Sequence, residues 1–192
     1  INMRWMYAAT GFGYVALSIY QALYFPIIAC PIRHLARRRG WPLGLALPVV
    51  WTAGELLRAV VLSGFPWFFL SHSLYGVLTL IQVSDLVGAY GASFAVAAVN
   101  GALADLILTR IRPAPDTAWR PRPLPFPVRA RISVAFAAIL MVSVTAYGMV
   151  QLRTDTMSQG PKIAVIQGDF AMTVDTDEVP NSQKEQYYFE MI

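Results

Sequence analysis

The chain has 192 residues, 56% of them hydrophobic and 14% charged. A soluble domain carries roughly 25% charged residues, so a stand-alone soluble domain is excluded. The net charge of +4 is not a nucleic-acid footprint, because ten of the thirteen arginines fall in two loops between apolar runs, where membrane proteins carry them. One cysteine excludes an internal disulfide, and with two histidines far apart in the topology it offers no metal set, so neither metal nor cofactor is expected. Ile1 stands first, with no basic-then-apolar leader after it, and the chain reads as an internal piece of a longer protein.

A span needs about 20 apolar residues to cross the hydrocarbon. Four runs qualify, at residues 5–30, 42–63, 79–109 and 132–152. The third is long, and its first residues are expected to form an interfacial segment before the span proper. Pro26 and Pro48 lie inside spans and are expected to kink or break them. Cys30 has His34 four residues on, but Pro31 intervenes and no third group orients the pair, so a buried, inert cysteine is expected.

Arg33, Arg37, Arg38 and Arg39 follow the first span. Arg110, Arg112, Arg120, Arg122, Arg129 and Arg131 follow the third, in a proline-rich loop. The loop at residues 64–78 has no Lys or Arg. The positive-inside rule puts the two basic loops in the cytoplasm. The loop at 64–78 and everything after Arg153 are then outside.

Ionisable groups inside a span are costly and become functional candidates by default. Glu55 and Arg58, three residues apart in the second span, share a helix face and can neutralise each other. Gln82 and Asp85 open the third run. Between them lies Gly64-Phe-Pro-Trp-Phe-Phe-Leu-Ser-His-Ser-Leu-Tyr75. These groups gather near the outer leaflet. The plain alternatives are a packed ion pair, an aromatic belt and an interfacial histidine. Gly88 with Ala92, and Ala97 with Gly101, have the spacing of close helix packing. The inner halves of the spans are read as almost wholly apolar, with Asn100 the main exception.

After Arg153 the character changes. Residues 162–167 read as a buried strand, and Ser182-x-x-Glu185 as the capping box of a helix. The fold class is therefore a polytopic α-helical membrane protein, residues 1–153. It leads into the first strand and helix of an α/β domain, residues 162–192.

Three motifs resemble the apolipoprotein N-acyltransferases of bacterial inner membranes. They are Trp51-x-x-x-Glu55-x-x-Arg58, Gly64-Phe-Pro-Trp67, and Gln82-x-x-Asp85-x-x-Gly88-x-Tyr90-Gly91-x-Ser93-Phe94. Residues 163–169, with Gln167, are similar to the first strand of the family's periplasmic nitrilase-like (CN hydrolase, α-β-β-α) domain. The resemblance implies transfer of an acyl chain from a phospholipid to the diacylglyceryl-cysteine of an apolipoprotein. It implies a cysteine thioester, a glutamate base and an oxyanion-holding lysine, all expected beyond Ile192, so this piece alone should be inactive. It also implies that Phe65, Pro66, Trp67, His72 and Tyr75 face lipid and substrate. Trp51, Glu55, Arg58, Gln82, Asp85 and Gln167 would support them. Two other readings stay open: a membrane-anchored nitrilase-like amidase or binding module, and a transporter fragment with polar groups through the bilayer depth.

Overall fold

The computed structural model describes residues 10–111, 126–154 and 160. The chain divides into two compact units, Ile1–Asp155 and Thr156–Ile192. The expected strand at 162–167, the capping box and Gln167 lie outside the described residues. Among the described residues there is no strand.

Helix α1 spans Gly11–His34 and runs on through a π-helical turn, Leu35–Arg39. The Thr10 hydroxyl opens it by accepting from the Gly13 amide at 3.2 Å, which satisfies one of the four free donors of a helix start. Helix α2 spans Leu43–Val60. Two single turns, α3 (Leu78–Ile81) and α4 (Ser84–Val87), precede α5 (Ala89–Arg110). Helix α6 spans Phe126–Arg153. Four of these helices are long and apolar enough to cross a membrane. At 1.5 Å per residue, the 22 residues of α5 reach about 33 Å, which covers the hydrocarbon.

The third run therefore splits as expected, and Gly88 is where it does so. Its φ of 65° with ψ of −170° is a conformation essentially reserved for glycine. Gly88 is accordingly a breaker before α5, not a packing partner for Ala92. The close approach comes lower down. Helix α5 packs between α2 and α6 through Ala92, Ala95, Ala98, Gly101 and Ala102, all buried. A Cβ added at Gly101 would overlap the Leu43 carbonyl of α2.

The interior is small and polar, and the surface is large and apolar. The largest fully buried side chains are Asp105, Pro48, Ser93 and Ser133, whereas Phe12, Ile139 and Val142 are at least two-thirds exposed. In water such a surface would be an aggregation patch. In lipid it meets its own solvent, and association rests on close packing of small residues.

Several expectations are corrected. The helix that carries the fourth apolar run begins at Phe126, ahead of residue 132, so Arg129 and Arg131 are helical, not in the loop. Arg129 is buried and donates from Nη1 to the Ala36 carbonyl at 2.9 Å. Neither Pro26 nor Pro48 interrupts its helix. Cys30 is exposed on α1, not buried. The arginine-bearing end of the bundle is not wholly apolar either. Oδ2 of Asp105, 1% exposed, accepts from the Leu43 amide at 2.6 Å and from Ser133 Oγ at 2.5 Å. Ser133 Oγ in turn accepts from the Gly44 amide at 3.0 Å. Helix α2 starts at Pro42 without a capping side chain of its own, and α5 and α6 supply one.

Candidate functional site

The other end of the bundle carries the aromatic loop. Helix α2 stops at Val60, and a short 3-10 turn, Val61–Ser63, leads to Gly64 at φ 79°. A Cβ at Gly64 would overlap the Ala59 carbonyl, so glycine is required where the chain folds back. The Phe65 amide then bonds to the Arg58 carbonyl at 2.9 Å. Leu62 and Phe68 adopt left-handed backbone at φ 51° and 58°, each at a cost of roughly 1–2 kcal/mol. Such strain persists only where surrounding contacts hold it.

Those contacts come from α2. Glu55, 3% exposed, receives the Trp51 indole N–H at 3.0 Å and the Leu70 amide at 2.7 Å, both on Oε1. Arg58 donates from Nη2 to the Phe68 carbonyl at 3.4 Å, and its guanidinium lies 5.5 Å from the Phe69 ring centroid. Phe69 is buried and also meets Tyr90 at 5.3 Å and His72 at 5.6 Å. The Ser71 amide donates to Ser93 Oγ of α5 at 3.0 Å. From α1, the Tyr20 hydroxyl donates to the Val61 carbonyl at 3.1 Å, and the Tyr20 and Tyr24 hydroxyls are 2.6 Å apart.

The alternative of a packed Glu55–Arg58 ion pair is not met: among the described residues no ion pair joins them. Each is spent on the loop instead, the carboxylate on an amide and the guanidinium on a carbonyl and a ring. Trp51, Glu55 and Arg58 are thus brought together as the loop's clasp. Asp85 lies elsewhere, taking the Tyr147 hydroxyl of α6 at 2.6 Å. Among the described residues Gln82 donates to the Leu78 carbonyl, one turn back. Of the outward candidates, Phe65 and Trp67 stack at 5.9 Å, with Trp67 49% exposed and Tyr75 83% exposed. Pro66 and His72 are also exposed. The clasp presents an aromatic, half-exposed surface at this end of the bundle.

Tyr20, Gln21 and Asp105 had drawn no role from the sequence, and Phe69 only that of an aromatic belt. Only Asp105 carried a legible signal, an acid within an apolar run. The partners of the others are set by packing.

The bundle and its clasped loop define a polytopic membrane protein that displays an aromatic surface at one end. Residues 1–102 match the model of the apolipoprotein N-acyltransferase N-terminal domain. Apolipoprotein N-acyltransferase of Geobacter metallireducens is 35% identical over 169 residues, covering 88% of this chain and 30% of that protein. The enzyme of the same name from Rhodopirellula baltica is 27% identical over 197 residues, covering 95% of this chain and 32% of its own. The chain belongs to the apolipoprotein N-acyltransferase family, and it spans about a third of the length of these relatives. No solved structure gives a significant match.

Proposed function

We propose that this chain is the membrane platform of an enzyme that moves an acyl chain from a phospholipid to the amino group of an apolipoprotein's diacylglyceryl-cysteine. The reaction has two steps. A cysteine thiolate attacks a phospholipid ester, forming a thioester and releasing a lysophospholipid. The acceptor amine then attacks the thioester, forming the amide and freeing the thiol. The Cys, its Glu base and its oxyanion-holding Lys would belong to a nitrilase-like domain in the part of the relatives' length that this chain does not span. This chain alone would then be inactive.

In this reading the protein sits in a bacterial inner membrane. The arginine end is cytoplasmic and the aromatic loop faces the periplasm at the outer leaflet. Phe65, Pro66, Trp67, His72 and Tyr75 would border the lipid entrance. The observation that carries the reading is the clasp itself: both charges of α2 are committed to holding an aromatic loop where a lipid substrate's polar end would lie. Family membership supports the chemistry. The transporter alternative asks for polar groups lining a path. Asp105 Oδ2 and Ser133 Oγ, both buried, instead accept from the start of α2.

The test is to reconstitute the full-length protein with a phospholipid labelled in its acyl chain and a diacylglyceryl-cysteine peptide. Label appearing as an amide on the peptide is the expected result. Hydrolysis of amides without transfer would favour the membrane-anchored amidase, and neither activity would favour a binding module.

A further inference from the structure

A small pocket lies between α1 and α2, bordered by Gln21, Tyr24, Trp51, Glu55 and Arg58, with a volume of about 20 Å³. Four buried side-chain atoms of these residues have no hydrogen-bond partner among the described residues: Gln21 Nε2 and Oε1, Glu55 Oε2 and Arg58 Nε. Gln21 is 9% exposed and Glu55 3%. Burying a polar group without a hydrogen-bond partner is costly.

We propose that Gln21, Glu55 and Arg58 form a binding site for one buried water molecule that joins α1 to the clasp of the aromatic loop. The volume decides the ligand. A water needs roughly 10–15 Å³ and two to four polar partners, and the pocket offers both. The chemistry is balanced as well. A water donates its two protons to Glu55 Oε2 and Gln21 Oε1, and accepts from Gln21 Nε2 or Arg58 Nε. Glu55 is then held from both sides, through Oε1 by Trp51 and Leu70 and through Oε2 by the water. This inference is independent of the acyl-transfer reading.

Radiolytic hydroxyl-radical labelling of the full-length protein in membranes tests it, because radicals generated from bound water mark the side chains beside that water. Tyr24, 6% exposed, borders the pocket. Its labelling is expected in the wild-type protein, and a several-fold fall is expected in Gln21→Leu, with the exposed Tyr75 unchanged. Gln21→Met serves if the leucine variant does not fold. An unlabelled Tyr24 in the wild type, labelling unchanged in the folded variant, or a density map with a group larger than water between Gln21 and Glu55 would each overturn the proposal.

Discussion

Glu55 shows how much depends on one carboxylate. Its Oε1 alone holds an indole and a backbone amide, so Glu55→Ala leaves two donors without their acceptor in a buried site. Each is worth about 1–3 kcal/mol. Thermal unfolding in detergent is expected to show a clear drop for Glu55→Ala. Glu55→Gln keeps an acceptor oxygen and should lose much less; equal loss in both would contradict the clasp. Asp105 makes the same point at the other end. Asp105→Ala removes the cap of α2, with an expected cost of about 0.5–2 kcal/mol, and Asp105→Asn should recover part of it. Both residues were visible as charges within apolar runs. Their partners were not, because Leu70 and Leu43 contribute backbone amides, which sequence does not distinguish.

At the scale of elements, hydropathy predicted four apolar helices, and four helices long and apolar enough to cross a membrane are present among the described residues. The three-residue interval of Glu55 and Arg58 put both on one face of α2, and both contact the loop. The ends were less legible. Helix α6 starts at Phe126 because Arg129, which reads as a loop residue, finds the Ala36 carbonyl inside the bundle. A packed partner, absent from any local pattern, offsets the burial of that guanidinium. Gly148 carries a similar lesson. Glycine inside a helix is ordinarily about 0.5–1 kcal/mol worse than alanine, so Gly148→Ala looks favourable from sequence. In the structure a Cβ there would overlap the backbone carbonyl of Thr79 in α3. Gly148→Ala is therefore expected to lower the melting temperature, whereas Gly76→Ala, with nothing within 4 Å of its added Cβ, should leave it nearly unchanged. A stabilised Gly148→Ala protein would show that α3 does not seat on α6.

For the whole molecule, two polar clusters sit at opposite ends of a small-residue interior. Asp105, Ser133 and Arg129 fasten the arginine end, and Glu55, Arg58 and Phe69 fasten the aromatic end. Hydropathy and arginine placement are what the proposed orientation of these ends rests on, since lipid imposes those patterns directly. The wiring within each end arises only when four helices meet. The proposed orientation is testable in cells. With Cys30 replaced by Ser, Tyr75→Cys in the full-length protein should react with a membrane-impermeant thiol reagent applied from the periplasmic side. A cysteine placed at the exposed Arg38 should not react, and the reverse pattern would invert the topology. The central claim is that the clasped aromatic loop borders the lipid entrance of an acyltransferase. Its most direct measurement is acyl transfer by the full-length enzyme carrying Trp67→Ala. Trp67 is half exposed, and the Trp67→Ala protein is expected to accumulate and unfold as the wild type does, while transfer falls at least ten-fold. Full transfer by a stable Trp67→Ala enzyme would contradict the claim.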